Sequence, residues 1–162
     1  MTLCQVSWAQ STANSPFSTN TTSSSAADLN GNAIDMTAGT TPLVPAASDQ
    51  GVSALTNIGF NYLFYGNFFN QFSVSANGIL QLGSSLVSGS TYTSGGGSTT
   101  SPKFSALGSD AATASIGDGG GVLSKVVGTA PNRCLVVQWV SYSYYTNTAN
   151  PATFQIRLYE NS

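Results

Sequence analysis

The chain contains no histidine at all. This absence removes Ser-His-Asp and Cys-His catalysis, and with them the ordinary histidine-bearing zinc sites. Charge is almost as scarce. Only 6% of the 162 residues are charged, against about a quarter in an average globular chain. The four cations, Lys103, Lys125, Arg133 and Arg157, are scattered and assemble no basic patch for a phosphate backbone or an anionic bilayer. No run of eighteen apolar residues exists that could span a membrane as a helix. The two cysteines, Cys4 and Cys134, are too few for a metal site without histidine beside them. Neither a phosphate loop nor a dinucleotide fingerprint occurs, since Gly117 to Gly121 has neither the pattern nor the strand–helix context.

What remains is a polar but uncharged chain, rich in Ser, Thr, Asn and Gly. It is 41% hydrophobic and 10% aromatic, enough apolar material to offset chain entropy and build one core. Solubility comes from hydroxyls and amides, a composition common in exported proteins. The first nine residues, ending Ser7-Trp-Ala9, read as the end of a secretory signal, with small residues at the spacing a signal peptidase favours. The competing reading is a short first strand through Leu3 and Val6. If the segment is cleaved, Cys134 is a lone buried thiol; if it is kept, a Cys4–Cys134 disulfide closes a very long loop. The lone thiol is the preferred reading, with residues 10–162 forming a single domain.

From Gln10 to about Gln50, sparse apolar positions suggest short strands between loops, and Pro42 and Pro45 confine any strand there to an edge. The pattern sharpens at Asn57. Phe60, Tyr62 and Phe64 share one face, with Leu63 and Tyr65 on the other, until Gly66-Asn67 breaks the strand. Phe72 and Val74 alternate with Gln71, Ser73 and Ser75, and Asn77-Gly78 is the favoured pair for a two-residue hairpin turn before Ile79 to Leu82. Residues 84–101 read as a long mobile surface loop. Val122 to Val127 is a strand, and Arg133 to Tyr145 is the longest strand candidate, apolar on both faces in its first half as a central strand should be. After a loop from Thr146 to Pro151, Phe154, Ile156 and Leu158 alternate with Gln155 and Arg157. No segment carries helical spacing. Short strands separated by frequent turn signals predict an all-β fold, an antiparallel β-sandwich of jelly-roll or Ig-like general architecture.

Three segments together resemble a known module. These are Asn57-Ile-Gly-Phe-Asn-Tyr-Leu-Phe-Tyr-Gly-Asn-Phe-Phe-Asn-Gln-Phe-Ser-Val-Ser-Ala-Asn-Gly-Ile-Leu-Gln-Leu82, Gly128-Thr-Ala-Pro-Asn-Arg-Cys-Leu-Val-Val-Gln-Trp139 and Ala152-Thr-Phe-Gln-Ile-Arg-Leu-Tyr-Glu160. They resemble a β-sandwich module of large secreted and surface proteins of Bacteroidetes, many exported by the type IX system, and are distantly similar to the nidogen-type extracellular domain. The resemblance covers roughly residues 55–162. It implies secretion to the cell surface, an all-β fold and a place in a larger adhesive protein, and it supplies no catalytic residue. Members have a Trp-Asp-Asp-type stretch where this chain reads Gly108-Ser109-Asp110, so no role of that acidic pair carries over. They also continue past the final Glu-Asn-Ser with a further strand, which makes C-terminal truncation the expectation and leaves Ala152–Glu160 as an exposed edge.

The remaining candidates are few. Asp110 and Asp118 are two acids in one neighbourhood. They read first as turn formers; calcium is the cation their oxygens would suit, and a glycosidase carboxylate pair is the weaker alternative because raising one pKa needs burial. Tyr142, Tyr144 and Tyr145, with Tyr62 and Tyr65, are either a sugar-stacking or protein-contact surface or, by preference, packing at a sheet edge. Trp139 reads as core. The expectation is a non-enzymatic extracellular structural or adhesive module without a cofactor. Its partners are other copies of itself or neighbouring domains, with carbohydrate binding as the alternative.

Overall fold

The computed structural model describes residues 34–90, 100–108, 111–113, 120–144 and 147–160. All nine regular elements among them are strands: β1 (Thr41–Val44), β2 (Thr56–Phe64), β3 (Asn67–Val74), β4 (Ile79–Leu82), β5 (Lys103–Ser105), β6 (Ala111–Thr113), β7 (Gly121–Val127), β8 (Cys134–Tyr144) and β9 (Asn147–Tyr159). They form two antiparallel sheets, the expected sandwich class. One sheet is the meander β2-β3-β4-β5; the other contains β1, β7, β8, β6 and β9. Tyr142 pairs with Thr113 on one side and with Ala152 on the other. The short β6 therefore continues the edge of β8 that β7 occupies, and β9 takes the opposite edge. β1 carries Pro42 and ends that sheet, as a proline strand must.

The core lies between the sheets. Ile58, Phe60, Tyr62, Phe69, Phe72, Val74, Leu80 and Leu82 come from the meander, and Val44, Val122, Leu135, Val137, Trp139, Tyr142 and Leu158 face them. Each such large side chain removed from water contributes about 1.5–3 kcal/mol, so the two apolar faces are the main force holding the sheets together. β8 is apolar on its outer face as well, because a second cluster of Met36, Cys134 and Val136 covers it, with Ile34, Leu123, Val127 and Tyr159 packed around. Lys125 pins that cover: its Nζ donates to the carbonyls of Asp35 and Ala38, each at 2.8 Å.

Three local features differ from the sequence reading. The first turn is Tyr65-Gly66 rather than Gly66-Asn67, since Phe64 pairs with Asn67. The second hairpin closes through three residues, not two. Ser75 N donates to Ile79 O at 2.9 Å, leaving Ala76-Asn77-Gly78 as the loop, with Gly78 at φ 80°. Asn77 is fully buried there, and its Nδ2 donates to Gly89 O at 2.6 Å. Third, β9 spans 13 residues against 11 for β8, because Asn147 to Pro151, read as loop, joins the strand. Residues 91–99 of the expected mobile loop lie outside the described set. Its first part is packed: Val87 is buried, and its N–H donates to Ser73 Oγ at 2.8 Å.

Candidate interaction surfaces

Tyr142, one of the tyrosines that read by preference as packing, sits in the core. That side chain is buried; its hydroxyl donates to Leu107 O at 2.6 Å, and its ring meets Phe154 edge-on at 4.9 Å. A bulge explains the inversion. Val140 and Ser141 together oppose the single Thr153, with Ser141 at φ 55°. The extra residue turns Tyr142 onto the same face as Trp139, whereas simple alternation would place it opposite. Trp139 is fully buried as expected, stacked on Phe154 at 5.1 Å, with its indole N–H donating to Ser75 O at 2.9 Å. Tyr62 is also buried, while Tyr65 remains exposed. The Tyr144 backbone pairs with Ala111 and Asn147. Tyr145 lies outside the described residues.

Asp110 and Asp118, the calcium and carboxylate-pair candidates, also lie outside the described residues, as do Cys4 and the signal-like segment. Cys134 is a buried thiol beside Met36 and Val136, with Sγ 3.6 Å from Leu135 O. Among the described residues, no three His, Cys, Asp or Glu side chains cluster as metal ligands would. Asp35 accepts hydrogen bonds from the Thr37 hydroxyl and N–H at 2.6 and 2.8 Å, which hold its carboxyl below the ordinary value. Glu160 is engaged by Arg133.

Arg133 is a residue whose role the sequence did not reveal. It sits just before β8, and its Nε donates to Glu160 Oε2 at 2.8 Å while Nη2 pairs with Oε1. Its Nη1 reaches across to Gly59 O at 2.7 Å, and its guanidinium lies 5.5 Å from the Phe60 ring centroid. Gly59 and Phe60 belong to an irregular stretch of β2 between Asn57 and Tyr62. One cation therefore fastens the β8–β9 pair to the opposite sheet. The signal was present in composition only: in so charge-poor a chain, any Arg close to a lone Glu at a strand end invites pairing.

The outer edge of β9 is the most conspicuous surface. β8 occupies its inner edge along Cys134 to Tyr144, and no described strand pairs with the other edge. Natural edges are guarded by charges, prolines or bulges. β9 has Pro151 and irregular pairing only in its first part, and its one charge, Arg157, is drawn onto Gln155 Oε1 at 2.7–2.9 Å. From Phe154 to Tyr159 the pairing with β8 is unbroken, and no described strand lies along the other side of this segment.

An all-β domain of two antiparallel sheets is the structural class. Its lineage follows from comparison with known families: a family model described as NIDO related matches residues 22–162, and the chain belongs to that family. The match starts well upstream of Asn57, where the resembled segments begin. No curated protein and no solved structure matches the chain. No helix among the described residues is long and apolar enough to cross a membrane.

Proposed function

We propose that this chain is a non-catalytic extracellular module of a secreted or surface protein, structural or adhesive in role, that joins other copies or neighbouring domains by strand addition to β9. The regular run of β9 from Phe154 to Tyr159, with no described strand on the side away from β8, carries the reading. A strand added there satisfies backbone N–H and C=O groups in a row, and alternate side chains set specificity. Membership of the NIDO-related family supports an extracellular module. The parent protein, on this reading, is of the large Bacteroidetes, type IX-exported kind that segments 57–82, 128–139 and 152–160 resemble.

Sedimentation velocity over a wide range of protein concentration tests the proposal. Reversible self-association is the expected result. Thr153→Lys places a charge at an exposed position at the end of this edge, the device by which natural edges are guarded against pairing, and should weaken association by about tenfold or more, or about 1.4 kcal/mol. A monomer at every concentration, or association indifferent to the substitution, overturns self-assembly through this edge.

A further inference from the structure

The β2–β3 hairpin presents a second surface on the other sheet. Residues 50–102 contain no Asp, Glu, Lys or Arg. β2, β3 and β4 are therefore wholly uncharged, and Lys103 in β5 is the only charge carried by a strand of their sheet. At the hairpin tip, Tyr65 and Gly66 both adopt left-handed backbone, φ 48° and 76°. This is the two-residue turn that Asn-Gly fills most easily, and a bulky tyrosine is a strained occupant of its first position. Backbone strain of this kind concentrates where a side chain has a task.

The tip is open and aromatic. Tyr65 is 44% and Phe68 71% exposed, and a Cβ added to Gly66 would meet nothing within 4 Å. The Tyr65 ring is nevertheless braced, edge-on against Phe64 at 4.5 Å, with Phe64 in turn against Phe104 at 4.9 Å. Phe68 pairs across the strands with Leu63, and alternation puts the exposed Asn61 and Asn70 on the same side as that pair. The sequence held the signal: two adjacent aromatics, Phe68 and Phe69, cannot both face the core of a pleated strand.

We propose that this hairpin tip is a binding site for a neutral glycan. Tyr65 and Phe68 offer apolar ring faces to the C–H faces of sugar rings, and Asn61 and Asn70 offer amide donors and acceptors to hydroxyls. The charge pattern selects the ligand class. A phosphate, sulfate or uronate finds no cation carried by β2 or β3, where the one guanidinium that reaches β2, Arg133, is already paired with Glu160; a basic peptide finds no carboxylate on these strands, and Lys103 and Arg133 are too few to hold an anionic lipid surface. A second copy of the chain fits poorly, because two partly exposed rings cover far less than the roughly 800 Å² per partner of a stable interface.

The test uses the whole chain and three kinds of probe: neutral oligosaccharides of hexose and N-acetylhexosamine units, a sulfated or uronic oligosaccharide, and the protein alone at rising concentration. Titration calorimetry gives affinity, and backbone amide NMR shifts give location. A neutral oligosaccharide should bind and shift amides between Asn61 and Asn70. Phe68→Ser and Tyr65→Asn should each weaken binding about tenfold or more. Asn suits left-handed backbone, so Tyr65→Asn should leave thermal stability unchanged or raise it, which separates lost binding from lost folding. The proposal is overturned by no neutral binding, by preference for the anionic probe, or by binding that survives both substitutions. Self-association abolished by Phe68→Ser would assign the patch to a second copy and overturn it equally.

Discussion

Arg133 and Glu160 close the open end of the β8–β9 pair as a two-pronged ion pair, backed by the Glu160 N–H donating to Arg133 O at 2.9 Å. The hydrogen bonds from Arg133 hold the Glu160 carboxyl below its ordinary value, outweighing the opposing effect of desolvation, and the guanidinium is raised in turn. Because the same guanidinium bonds Gly59 O, the pair also ties one sheet to the other.

The pair makes stability depend on acidity in a defined direction. A carboxyl lowered in the folded state binds fewer protons there than in the unfolded chain, so its contribution is complete above the ordinary value near 4.5 and is lost as pH falls through the lowered folded value. Asp35 acts in the same sense. Urea midpoints measured at and below that range should fall with acidity in the wild type and fall less steeply in Glu160→Gln. Equal slopes would show that the ion pair contributes nothing in solution.

Trp139 and Tyr142 hold the centre of the sandwich from one strand. Trp139→Ala removes a fully buried side chain that stacks on Phe154 and should destabilise by about 3–5 kcal/mol. Tyr142→Phe removes only the hydroxyl that donates to Leu107 O, for about 1 kcal/mol. Chemical denaturation read by fluorescence or circular dichroism gives both values. If Tyr142→Phe were neutral, the hydroxyl would have no anchoring role.

The β3–β4 turn should be intolerant in two distinct ways. Gly78 has φ 80°, and a Cβ there would lie 2.5 Å from Leu107 O, so Gly78→Ala should cost about 1–3 kcal/mol through backbone strain, with the clash added. Asn77→Ala loses the buried bond to Gly89 O and should cost about 1–3 kcal/mol, since it leaves a partner unsatisfied. Limited proteolysis should then cut Asn77→Ala faster around residues 84–90, the segment that this bond retains.

Much of this fold was legible because its physics is local. Alternation in Ile58 to Phe64 and in Phe154 to Leu158 marks one buried face each, and the doubly apolar start of β8 announces a strand covered on both sides. Pro42 marked an edge for the same reason that it ends the sheet. What stayed hidden depends on one-residue irregularities that no period reveals. The bulge at Val140–Ser141 puts Tyr142 on the same face as Trp139, so it packs in the core where simple alternation would point it away. The three-residue Ala76 loop and the short, apolar-poor β6 escaped similarly. The Arg133 clasp joins residues 74 positions apart at Gly59, a relationship that only the packed sheets create.

The most direct test of the account is hydrogen exchange at the β9 backbone amides, measured at low and high protein concentration. If β9 is a docking edge, the outward-facing amides between Phe154 and Tyr159 exchange quickly in dilute solution and slow as the chains associate, while those bonded to β8 are protected throughout. Outward amides that exchange at one rate at every concentration, or protection arising elsewhere while they stay fast, would contradict it.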